Sequence, residues 1–165
     1  MDPKRYSQEK TSWCWVAGTQ IVIDYLKDEY HTQCTYYKWG KNKSSCSGNE
    51  GGDFYKDVAN AFIGAKVQRG VVVSSGASLL TIREEIDKKR PLLARIGWKS
   101  KGKLNGAGHA IVIRGYNTDG DQAHYLWIKD GDNDTDYTSE YATKSISWLK
   151  NNNQFSWTHT RLQMG

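Results

Sequence analysis

No stretch of this 165-residue chain approaches the ~18 consecutive apolar residues of a membrane helix, so a helical membrane span is excluded. The chain also lacks any CxxC or HxxxH pair. Without that framework no metal site, and no other cofactor, is expected. The net charge is +5, yet no zinc-finger spacing or RNP-like signature accompanies it. The basic residues are scattered apart from a loose cluster at Lys99, Lys101 and Lys103, so the charge reads as solubility and no nucleic-acid partner is expected. Phe and Met are scarce, at three and two, whereas seven Trp and ten Tyr carry much of the apolar load. Such aromatics often line clefts that grip extended peptides or glycans. No repeat and no linker divides the chain, which predicts one domain over residues 1–165 with a single sizeable core. Mean hydropathy is −0.74, the mark of a very polar surface.

Three cysteines are present, at positions 14, 34 and 46. An odd count in a secreted protein suggests one pair and one free reactive thiol. Cys34 and Cys46 bracket a polar Lys/Ser/Asn-rich stretch of the kind a disulfide staples, which leaves Cys14 over. Three reduced thiols in a cytoplasmic protein is the competing reading.

Apolar spacing predicts a helix over 13–30, a polar connection over 31–52 and a second helix over 53–63 capped by Asp53. A strand over 66–74 and a helix over 78–89 capped by Ser78 follow. Beyond Pro91 the pattern turns to β, with strands at 92–98, 108–116 and 123–129 and an Asp-Gly turn between the last two. A short helix over 139–149 and a strand over 155–162 close the chain. Helices over about 8–90 followed by an antiparallel sheet over about 91–165 make an α+β fold.

The chemistry centres on the run from Gln8 to Gly18. Cys14 sits between Trp13 and Trp15 where the first helix opens. There the unpaired N–H groups and the positive end of the helix dipole favour thiolate. A thiol nucleophile needs a base, and the base needs an orienting group. His109, between Gly108 and Ala110 at the start of an apolar strand, is the best base. Asp130 ends the next strand at the same sheet edge, with Asp132 and Asn133 as alternative orienters. Gln8 and the Cys14 N–H would form an oxyanion hole. The acidic run over 130–136 lacks the glycine and final glutamate of an EF-hand loop and reads as a solvated turn. Trp13, Trp15 and Trp98 are candidate walls of a substrate cleft.

The order Gln8, Cys14, His109, Asp130 resembles that of papain-like cysteine peptidases. It looks closest to the compact bacterial group that opens on Q-x5-C-W and carries a Gly-His-apolar strand. That group includes cysteine-peptidase effectors of plant pathogens and, more distantly, double-glycine leader peptidases. The resemblance spans residues 8 to about 130 and implies a helical lobe whose catalytic helix packs on the sheet. It also implies a peptide or protein substrate. Gly51-Gly52 after Cys46 resembles the papain segment whose glycines pair with substrate backbone, which marks Gly52 as substrate-binding. The chain departs from the larger papain-type enzymes in carrying Asp130-Gly131 where they have Asn followed by Trp. It has no cysteine three residues before Cys14, so the usual papain disulfide from that position cannot form.

Met1 to Arg5 contains no apolar signal core. The chain is therefore either cytoplasmic or preceded by a signal or propeptide; secretion, in an effector, toxin or processing role, is the expectation. The same residues could instead serve a transglutaminase, deamidase or acyltransferase, or a catalytically idle binding module.

Overall fold

The computed structural model describes residues 1–131 and 139–165. Among them the chain forms α1 (Cys14–Lys27), α2 (Gln33–Lys41), α3 (Asp57–Gly64), β1 (Val71–Val73), α4 (Leu79–Asp87), β2 (Leu92–Ser100), β3 (Lys103–Tyr116), β4 (Gln122–Trp127), β5 (Glu140–Ser145), α5 (Ile146–Lys150) and β6 (Phe155–Leu162). The strands make one sheet in the order β1-β6-β2-β3-β4-β5, with every neighbouring pair antiparallel. Helices and an antiparallel sheet give the expected α+β architecture.

Side chains alternate across the pleat, so each central strand feeds two cores. Leu93, Ala110, Val112 and Leu126 join Val16, Ile21, Val58 and Phe62 of α1 and α3 on one face. Leu92, Ala94, Ile111 and Ile113 join Ile82, Ile86 and Leu149 of α4 and α5 on the other. Gly18 lets α1 approach the sheet closely: a Cβ there would come within 2.8 Å of Leu93 Cδ1 and meet Ala110 at 3.6 Å. The β2–β3 hairpin closes through Lys101 and Gly102, both at positive φ (50° and 76°), as a two-residue turn of that twist requires.

Several boundaries differ from expectation. Helix α2 lies inside the stretch read as a polar connection. Its start is capped by Thr32, whose Oγ1 accepts from Thr35 N–H, and Asn42 at φ 54° ends it. Asp53 accepts from Tyr55 and Lys56 N–H at 2.8 Å in a turn, and α3 begins only at Asp57. Most of 139–149 is strand rather than helix, because Glu140–Ser145 pairs along its length with β4. Only Ile146–Lys150 is helical, capped by Ser145. Expected and observed bounds coincide for β6. The sequence division near residue 90 is also crossed, since β1 joins the sheet beside β6.

Candidate active site

A cleft of about 680 Å³ opens between the start of α1 and the end of the sheet where β3 begins and β4 finishes. Cys14, His109, Asp130 and Gln8 all line it, as do Trp15, Gly52 and Trp98. Trp13 does not. It is buried at 1% exposure, stacked on Tyr37 at 4.8 Å, with Lys10 Nζ 4.5 Å from its ring centroid. The indole expected as a cleft wall is thus part of the core that holds the α1 entry.

Cys14 is the first residue of α1, and among the described residues no side chain caps this helix. Backbone N–H groups of Ala110 on β3 and of Trp15 on α1 favour the thiolate, and Arg95 adds a positive charge. These pull the thiol pKa down. Burial is the larger effect and holds it above the ordinary value. Among the described residues Cys14 is the free cysteine, while Cys34 and Cys46 form a disulfide with Cα atoms 5.2 Å apart. That bond ties α2 to the loop forming one wall of the cleft. Asn49 Oδ1 of the loop accepts from Ser12 N–H at 2.9 Å, and Glu50 O accepts from Trp15 Nε1 at 3.2 Å.

His109 stands on β3 opposite Ile96 of β2. Its ring tilts against Trp127 at 4.8 Å and lies 6.3 Å from Trp98, and this burial lowers its pKa. Nε2 lies 2.8 Å from the carbonyl oxygen of Ile128. A carbonyl only accepts, so Nε2 must carry the proton and Nδ1 keeps its lone pair. Ile128 follows directly on the last residue of β4, which leaves its carbonyl outside the named ladder.

Asp130 acts on His109 through its charge, which raises the imidazole pKa against the burial effect. Its carboxylate is bonded to Gln8: Nε2 of Gln8 donates to Oδ1 at 2.7 Å. The two residues also form a parallel bridge, with Gln8 N–H on Lys129 O at 2.8 Å and Gly131 N–H on Gln8 O at 2.7 Å. Gln8 Nε2 faces two further acceptors, Thr11 O at 2.7 Å and Lys10 O at 3.0 Å, although it has only two hydrogens. Among the described residues Gln8 Oε1, which is buried, has no partner. In this arrangement Gln8 straps the entry loop to Asp130. Asp132 and Asn133, the alternative orienters, and most of the acidic run lie outside the described residues.

Arg95 and the Ile128 carbonyl are the parts that sequence reasoning missed. A backbone carbonyl leaves no trace in composition. Arg95 does leave one, as a lone charge inside the apolar run 92–98. Among the described residues no cluster of three or more His, Cys, Asp or Glu could hold a metal ion, and no helix is long and apolar enough to cross a membrane.

No curated protein matches this chain. Among solved structures it is similar to the peptidase domain of Streptococcus ComA, a bi-functional ABC transporter involved in a quorum-sensing pathway. The TM-score is 0.59 at 16% identity, with 98% of each chain covered, a likeness of fold. The Peptidase_C39 like family matches residues 1–163. With its helix-borne cysteine, its strand-borne histidine and a match over nearly its whole length, the chain belongs to the Peptidase_C39-like family.

Proposed function

We propose that this protein is a cysteine peptidase in which Cys14 attacks a peptide carbonyl and His109 moves the proton. One observation carries the reading: thiol and imidazole line a single cleft, and the imidazole is anchored through Nε2 so that Nδ1 remains a base. Burial raises the thiol and lowers the imidazole, so both are neutral at rest. Proton transfer from sulfur to Nδ1 then accompanies attack. The tetrahedral oxyanion is met by the uncapped N–H groups at the start of α1. Gln8 joins them only if an N–H leaves one of its three acceptors. The carboxylate of Asp130 stabilises the imidazolium, which protonates the leaving amine as the C–N bond breaks. Water, deprotonated by His109, then resolves the thioester and restores the thiol.

The Cys34–Cys46 disulfide supports a site of action outside the producing cell, because such bonds persist in oxidising compartments. An effector or toxin role belongs to the same proposal. Exposure of a mixed proteome to wild type and Cys14→Ala, followed by mass spectrometry of termini, tests the chemistry. New termini that vanish in the variant are expected. Cleavage retained without the thiol would overturn the reading, as would glutamine deamidation or crosslinking without new termini.

A further inference from the structure

Two arginines project from neighbouring strands and meet opposite fates. Arg161 on β6 is 2% exposed, and its guanidinium is spent on the carbonyls of Arg69, Phe54 and Tyr55. Arg95 on β2 is half-buried and opens onto the cleft. Two bonds fix its plane: Nη1 donates to Thr158 Oγ1 at 3.0 Å and Nη2 to Gly106 O at 3.2 Å. It packs over Gly108, where a Cβ would come within 2.8 Å of Cζ and Nη2. Among the described residues it has no carboxylate partner. Leaving a half-buried guanidinium without a counter-charge is costly, and a planar fork held in place is the geometry that receives a carboxylate in two-pronged fashion.

Position makes this a substrate contact. Arg95 is the β2 partner of Ala110, both line the cleft together with Cys14, and the Arg95 charge acts on the Cys14 thiol. Paired strand residues lie about 5 Å apart, and a bound chain advances ~3.5 Å per residue. With Arg95 and Cys14 in one cleft and the Arg95 charge acting on the thiol, a carboxylate held by Arg95 falls within a few residues of the attacked carbonyl. Resting on the peptidase reading of this cleft, we propose that Arg95 is a specificity-determining residue that binds a substrate carboxylate beside the scissile bond. Its source is either an acidic side chain or the free C-terminus of the peptide.

The first test does not depend on turnover. Iodoacetate and iodoacetamide alkylate the same thiolate, and the other two cysteines are tied in a disulfide. The ratio of their rates at Cys14 cancels any change in thiol pKa and reports attraction for a carboxylate. The ratio should fall by about fivefold or more in Arg95→Gln, the scale of a lost charge-assisted hydrogen bond in a partly solvated site. Arg95→Lys, which keeps the charge without the fork, should give an intermediate ratio, and it stands in if Arg95→Gln does not fold. An unchanged ratio in the folded variant overturns the proposal.

A proteome-derived peptide library then identifies the source. Asp or Glu enriched beside the cut, and lost in Arg95→Gln, assigns a side chain. Cuts clustered near peptide ends and abolished by C-terminal amidation assign the terminus. Cleavage with neither bias overturns the proposal, whereas no cleavage alongside a falling alkylation ratio overturns the peptidase reading and leaves the carboxylate site standing.

Discussion

Helices α1 and α4 pack on the same sheet but begin in opposite ways. Helix α4 opens with Ser78, whose Oγ accepts from Thr81 N–H at 3.1 Å and closes off a first-turn donor. Helix α1 opens with Trp13, which offers no side-chain acceptor, and with no acid in its first turn. The Trp15 N–H of that open turn favours the thiolate of Cys14 instead. One terminus is finished for stability and the other is left open for chemistry, although both are anchored by aromatic or aliphatic packing. A helix start without a cap is thus informative when a nucleophile occupies the vacant place.

Substitutions can separate the two. Cys14→Ala should remove all hydrolysis and all thiol labelling while changing the unfolding free energy by under about 1 kcal/mol, as denaturant titration would show. His109→Gln should slow peptide turnover by ~10²–10⁴, the usual worth of a positioned base, with circular dichroism unchanged. Alkylation of Cys14 by iodoacetamide should rise with pH through a midpoint at or above the ordinary thiol value of about 8.5. The sign follows from burial, which favours the protonated thiol. A plateau in mild acid would reveal a thiolate–imidazolium pair and break the neutral-pair picture. By linkage, this thiol's contribution to stability is fully present below the unfolded-state thiol pKa and erodes as pH rises through the folded one. Ser78→Ala should have the smallest effect, a loss of about 1 kcal/mol in stability with Cys14 labelling rates unaltered.

How legible these features were depended on how local their causes are. Ser78 and the run behind it announce α4, because a cap and a 3.6-residue period act within one turn. Phe155–Leu162 announces β6 through its own alternation. The run 139–149 misleads, since Glu140–Ser145 becomes a strand only by pairing with β4, a partner that propensity cannot see. Helix α2 hides in polar composition, and its position owes much to a disulfide twelve residues long in sequence. Within the site, Cys14 and His109 carry enough chemistry to be picked out singly. The bond between Gln8 and Asp130 spans 122 residues, and the Ile128 carbonyl that anchors the base belongs to the backbone. Neither can be read before the chain is folded.

Trp15 extends the lesson to residues with no side chain at all. Its indole is held between Gly40 and Gly52, with a Cβ at Gly40 falling 2.6 Å from the ring and one at Gly52 overlapping it outright. Any larger residue at either place must push the ring, and the ring lines the cleft. The aperture open to a substrate is therefore set like a window by two missing panes. Widening or narrowing it, by engineering or by drift, would begin at these glycines before it touched the nucleophile.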